Sequence, residues 1–245
     1  MPTPYRKAEN PPPPLSLPPA ADLLERLERT LQEQFAMPML SPFSVIVEGT
    51  MDRDYIIRAA DLESEETGVD LLNVPGDPPS EVSIVTPASG ACCNRGGAPR
   101  CVALAGVLYP YASLLECFNG LLFVLDHDDE GRKAERDISA IGFEKGKHVI
   151  TLDPAYHRSI ESDVITIENL LSLRIQNEYF RDHQAWCCVE YRGGSVWRYD
   201  WHNKSKPSLR EYVLSHATGE DVVEVRRLLR RIRRLMGLPV DEENV

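Results

Sequence analysis

Two acidic stretches hold the residues whose types and spacing could do chemistry. The first is Val45-Ile46-Val47-Glu48-Gly49-Thr50-Met51-Asp52, an apolar run that ends in a carboxylate and a glycine. The second runs Leu121-Leu122-Phe123-Val124-Leu125-Asp126-His127-Asp128-Asp129-Glu130-Gly131, again apolar and then densely acidic. Asp126 and Asp128 stand two apart, so extended backbone puts them on one face. His127 falls on the opposite face and reads as structural. Carboxylates gathered at one edge repel one another unless a cation neutralises them. Hard oxygen donors select Mg²⁺ or Mn²⁺, and Mg²⁺ keeps water positions open to phosphate oxygens, which suits phosphoryl-transfer chemistry. A lone strand-Glu-Gly is weak evidence, and the acidic turn taken alone reads first as a helix cap, with Asp128 or Asp129 capping a helix near Arg132. Together, each at the end of an apolar strand, they point to a site.

The elements that must position these residues follow from periodicity. Short β-branched apolar runs at Phe43 to Val47, Val82 to Val85, Leu121 to Leu125 and Val149 to Leu152 read as buried strands. Helical patterns lie between several of them, around Asp52 to Leu62 and Arg132 to Ile141. Alternating β and α implies an α/β fold with a mostly parallel sheet, in which strand-end carboxylates project into a common crevice. Ahead of the sheet, Leu23, Leu24, Leu27, Leu31 and Phe35 recur at helical spacing, with Asp22 placed as an N-cap. That helix must pack on its own domain or on a partner chain. The segment from Glu63 to Gly106 is broken by Pro75, Pro78, Pro79, Gly90, Gly96, Gly97 and Pro99, and reads as irregular loops around one strand.

Further along, a helix is expected from Ile167 to Tyr179. A β-hairpin follows, Trp186 to Glu190 and Ser195 to Tyr199 around Gly193-Gly194. A last helix, about Glu220 to Met236, sets Val222, Val225, Leu229, Ile232 and Met236 on one side, with Arg226, Arg227, Arg230, Arg231, Arg233 and Arg234 around the rest. Those arginines are either a solvated basic face or a phosphate- or partner-binding one. The expected organisation is a proline-rich arm over 1–21, an amphipathic helix over 22–41 and a catalytic domain over 42–180. A small α+β appendage over 181–245 completes that domain.

Composition narrows the classes. The chain has 245 residues, 42% of them hydrophobic, enough for one sizeable domain. A net charge of −11 argues against a uniformly basic nucleic-acid surface, so any such contact is local. No stretch approaches a membrane span, and no secretory leader is evident, so a cytoplasmic location is expected. In that setting Cys92, Cys93, Cys101, Cys117, Cys187 and Cys188 are expected to be reduced. The two Cys-Cys pairs lack the spacer of a zinc knuckle.

Glu48-Gly49 after one strand and Asp126-x-Asp128-x-x-Gly131 after a later one resemble the Toprim signature shared by topoisomerases, primases, recombination proteins and OLD-family (overcoming lysogenization defect) nucleases. The OLD-type nucleases are most similar, because Asp52 follows Glu48 by four residues and Thr166-Ile167-Glu168-Asn169-Leu170 resembles their later acidic motif. The resemblance spans about Phe43 to Leu238. It implies a Toprim-like fold and a two-metal, Mg²⁺- or Mn²⁺-dependent endonuclease acting on DNA or RNA. Glu48, Asp52, Asp126, Asp128 and Glu168 would be its metal ligands, with Asp163 a weaker addition. Lys206, with Lys204 as second choice, matches a family lysine near the scissile phosphate. The departures are Asn169, where relatives often carry aspartate, and the unaligned segment from Glu63 to Gly106.

The chain has no P-loop of its own, whereas OLD-type nucleases usually carry an ATPase domain ahead of the Toprim domain. The resemblance therefore implies a separate ATPase subunit, docked through the N-terminal helix or the arginine helix, as in two-component anti-phage systems. A homo-oligomer is compatible with this reading. Three rivals remain. A catalytically silent Toprim scaffold would bind or regulate. A topoisomerase would need a strand-passing tyrosine domain that nothing here resembles. A receiver-type phosphoacceptor would need an acidic pair where Glu48-Gly49 stands.

Overall fold

The computed structural model describes residues 20–76, 78–87, 97–115, 120–157, 160, 162–183 and 186–240. The proline-rich arm, apart from its last two residues, lies outside them, as do Cys92, Cys93 and Cys117. Four parallel strands form the central sheet: β1 (Phe43–Val47), β4 (Ser83–Val85), β5 (Gly120–Leu125) and β6 (Val149–Thr151), in the order β4-β1-β5-β6. The acidic strands β1 and β5 are neighbours in register, with Val47 opposite Val124. Their carboxyl ends, and so Glu48 and Asp126, therefore come out side by side.

Alternate side chains of each strand serve opposite faces. Val45, Val47, Leu122, Val124 and Ile150 face a core shared with Tyr55, Ile56 and Ala59 of α2 (Thr50–Thr67). α7 (Val223–Leu235) adds Val225, Leu228, Leu229 and Ile232 to that core. On the other face Ile46, Leu121, Phe123 and Leu125 meet α1 (Ala20–Phe35), α3 (Ala98–Leu115) and α4 (Asp129–Ile141). A sheet buried on both faces explains why its strands read as unbroken apolar runs rather than alternating ones. Among the described residues no helix is long and apolar enough to cross a membrane.

Several expectations need correction. α1 begins at Ala20, so Asp22 lies in its first turn instead of capping it. Its stripe is used within the chain: Leu27, Leu31 and Phe35 are buried against α3, each stabilising by roughly 1.5–3 kcal/mol. The segment from Glu63 to Gly106 is more ordered than its prolines suggested. α2 continues to Thr67, and β2 (Asn73–Val74) pairs antiparallel with β3 (Ser80–Glu81). α3 then starts at Ala98. This helix is apolar all round, with Cys101, Leu104, Ala105 and Leu108 buried, so it offers no amphipathic contrast. Pro99 occupies its first turn, where a missing N–H costs little; Pro110 sits within it.

The helix expected from Ile167 to Tyr179 is split. A 3-10 turn, Ile167–Leu170, precedes α5 (Leu173–Asp182), and Ser172 caps α5 by accepting from the Ile175 N–H. β7 (Cys187–Arg192) and β8 (Ser195–Trp201) form the expected hairpin. Gly193 and Gly194 both have positive φ, 58° and 85°, as a type I′ turn requires. α6 (Lys206–His216) leads to a 3-10 turn over Gly219–Val222 and then α7, which starts three residues later than expected.

The arginine face of α7 is largely internal. Glu63 is buried between Arg226 (3.1 Å) and Arg230, and Arg226 also reaches Glu66 at 2.9 Å. Arg233 is buried and donates to the carbonyls of Leu71, Asn73 and Pro239. A solvated or partner-binding face is thus the wrong description for Arg226 and Arg233. Their guanidiniums tie α7 to α2 and to the loop after it.

Candidate functional site

The sheet's carboxyl edge collects the acidic residues one element at a time. Glu48 directly follows β1, and its Oε1 accepts the Asp126 N–H at 2.9 Å, tying the two strand ends together. The Glu48 carbonyl accepts the Gly97 N–H at 2.8 Å, which sets the start of α3 against it. Gly131 is forced by this closeness: a Cβ there would lie 2.0 Å from the Asp126 carbonyl oxygen and 3.3 Å from Glu48 Oε1. Only glycine lets α4 start so near both strands.

Asp52 lies in the first turn of α2, and its Oδ2 accepts the Gly49 N–H at 2.8 Å. Asp126 Oδ1 accepts the Ile167 N–H at 3.1 Å, bringing the 3-10 turn that carries Glu168 onto the same edge. Glu168 is buried and forms an ion pair with Lys206, Nζ lying 3.0 Å from Oε1. Lys206 opens α6, so that helix contributes a cation to a place where four other elements contribute anions.

Electrostatics mark the cluster more sharply than distance. Burial is the largest influence on Glu48 and pushes it up to about 7, with Asp128 and Glu130 adding repulsion against the two backbone hydrogen bonds that it accepts. Asp52 is pushed up to about 8 by burial and then by Glu168 and Glu48. Asp126 is raised well above the carboxylate range by burial and by Asp52, Glu48 and Glu168. Lys206 is held above its usual value, because the attraction of Glu168, Asp126 and Asp52 outweighs the cost of its burial. Glu48, Asp52, Asp126 and Glu168 thus meet one ammonium in a desolvated place, an excess of negative charge that favours a cation.

No family model, no curated protein and no solved structure matches the chain. Its chemistry is therefore read from this geometry. The donors are hard oxygens in excess of the local positive charge, a set that fits Mg²⁺ or Mn²⁺. Among the described residues, however, no three His, Cys, Asp or Glu side chains form a ready group for a metal ion. Glu48, Asp52, Asp126 and Asp128 each give an oxygen to a backbone N–H. The residues fit an ion by charge and donor type.

Most of the residues singled out from sequence are brought together: Glu48, Asp52, Asp126, Glu168 and Lys206 act on one another. Asp128 serves first as the cap of α4, accepting the Gly131 N–H at 2.7 Å, while its charge still raises Glu48. Asp163 is exposed, and its backbone carbonyl accepts from Arg132. Lys204 is also exposed, with Nζ 5.2 Å from the centre of the Trp186 ring. His127 turns away to Thr151, Nδ1 to Oγ1 being 2.8 Å. Asn169 closes a capping box with Thr166.

Tyr55 was not anticipated. It is fully buried, its hydroxyl has no hydrogen-bond partner among the described residues, and burial followed by Glu168 and Asp52 raises its pKa. The available signal was its place three residues after Asp52, on the same face of α2.

Proposed function

We propose that the chain is a metal-dependent nuclease with a Toprim-like fold, hydrolysing phosphodiester bonds in DNA or RNA. The observation that carries this reading is the gathering of Glu48, Asp52, Asp126 and Glu168 at the carboxyl edge of a parallel sheet, with the half-buried Lys206 as the cation among them. Glu48, Asp52, Asp126, Asp128 and Glu168 would hold one or two Mg²⁺ or Mn²⁺ ions. Such ions supply neutralisation of the carboxylates and polarisation of water and phosphate oxygen. The protein's own part is to desolvate the edge and to hold the carboxylates on four separate elements. It also fixes the Lys206 ammonium, paired with Glu168, where negative charge accumulates on the phosphate. In the reaction a water oxygen bonds to phosphorus and the ester oxygen leaves. A separate ATPase subunit and a role as a defence effector, which the resemblance to OLD-type nucleases implies, belong to the same proposal. Co-purification with a P-loop ATPase tests that part.

One observation favours a second reading. Each strand-edge carboxylate already satisfies a backbone N–H, as a catalytically silent scaffold would need. Incubation with supercoiled plasmid, tRNA and total RNA separates the two, using Mg²⁺, Mn²⁺ or EDTA and comparing wild type with Glu48→Ala and Asp126→Ala. Cleavage that needs metal and is lost in both folded variants supports the nuclease. Absence of cleavage, with no metal binding by calorimetry, leaves the scaffold.

A further inference from the structure

Beyond the carboxylate edge, α7 and the turn after β6 enclose a cavity of about 160 Å³ lined by Tyr156, His157, Arg227, Arg230, Arg231 and Arg234. We propose that it is a phosphate-binding pocket. Its charge is unbalanced in the opposite sense to the edge. Arg227 pairs with Glu224, and Arg230 shares Glu63 with Arg226. Among the described residues, no carboxylate lies within ion-pair distance of Arg231 or Arg234. Two nitrogens of its lining residues are buried with no hydrogen-bond partner among the described residues, His157 Nε2 and Arg231 Nη1. His157 itself is 1% exposed, and its other ring nitrogen is held by Glu224 at 3.2 Å. Buried polar groups normally have partners, so an unpartnered guanidinium nitrogen beside a cationic cavity marks a place suited to acceptor oxygens.

Arg231 supplies a second sign. Its guanidinium lies 3.4 Å from the centre of the Tyr156 ring, and burial pulls its pKa below the usual arginine value. The ring holds the planar fork in place, and a preorganised guanidinium suits phosphate oxygens. The cavity is smaller than the roughly 300 Å³ at which pockets begin to enclose whole organic ligands. It therefore suits a single phosphate group.

The pocket's position makes a nucleic-acid strand one source of that phosphate, an extension that rests on the function proposed above. β6 lies beside β5 in the sheet. Asp153, just after β6, acts electrostatically on Arg231 and also on His127 of the acidic turn. A free phosphate ion is the other source.

The test measures binding in EDTA, where no cleavage occurs. Calorimetry with inorganic phosphate and fluorescence anisotropy with a short single-stranded oligonucleotide are run on wild type, Arg231→Gln and Arg234→Gln. Arg234 is exposed, so its variant keeps the fold. Each substitution is expected to weaken binding about tenfold, the loss of one charge-assisted hydrogen-bond donor. Arg29→Gln, on α1, is expected to change nothing. Weakened binding of both probes assigns the pocket to phosphate in general, and of the oligonucleotide alone to strand backbone. If neither probe binds, or neither α7 substitution weakens binding, the pocket is overturned. Intact binding in a protein that never cleaves would retain the pocket while rejecting the nuclease reading.

Discussion

The carboxyl edge of the sheet and the seam between α2 and α7 are both dense in charge, and they use it in opposite ways. At the seam, Glu63 is buried between two guanidiniums and Arg233 is satisfied by three carbonyls. At the edge, Glu48, Asp52 and Asp126 lie half-buried near one another, opposed among the described residues by Lys206, and all three are raised. Charge density therefore does not distinguish structure from function in this molecule. What distinguishes them is whether the fold has placed a counter-charge beside each group.

That contrast can be broken at several points. Asp126→Asn is expected to lower cleavage about a thousandfold, about 4 kcal/mol of transition-state stabilisation, while Tm stays level or rises because the amide, unlike the carboxyl, has no ionised form for the edge to disfavour. A fall in Tm together with activity would show that the edge is structural after all. Glu63→Ala is expected to do the reverse, costing about 3 kcal/mol of stability by leaving Arg226 and Arg230 without their shared partner. For a domain of this size that lowers Tm by roughly 6–12 °C. An unchanged melting curve would remove the seam from the comparison.

Lys206→Met is expected to lower cleavage about a hundredfold. Restoration by Lys206→Arg would show that the charge matters more than the geometry of the ammonium. The smallest effect is a shift in melting with pH. Glu48 at about 7 and Asp52 at about 8 stand above their unfolded values of 4.5 and 3.8. The folded chain thus holds protons that the unfolded chain releases. Their contribution is fully present below about pH 4 and is lost as pH rises through the folded values toward 8. In EDTA, Tm is expected to fall between pH 5.5 and pH 8, and by less in Glu48→Gln. Saturating Mg²⁺ is expected to add about 3 °C or more at pH 8 and less at pH 5.5. An equal increment at both would separate metal binding from these carboxylates.

Much of the edge could be seen in the sequence because strand ends are written locally. Phe43 to Val47 ends where β1 ends, and the acidic turn follows β5 directly. Glu168 and Lys206 were reached only through resemblance, since 38 residues separate them and nothing in either segment announces the other. The seam was misread for the same reason. Arginines on a helix face look solvated until a glutamate far upstream is packed against them. α3 escaped because an all-apolar helix shows no period, and its prolines resemble loop punctuation.

The Glu48 hydrogen bond to Asp126 spans 78 residues, and the cation opposing the cluster enters later still, at the start of α6. During synthesis, a ribosome-bound chain that has emerged only as far as β6 has the acidic edge without Glu168 or Lys206. The edge is therefore complete only after the C-terminal helices have docked, and if it is the nuclease centre proposed above, its cation arrives when nearly all of the fold is in place.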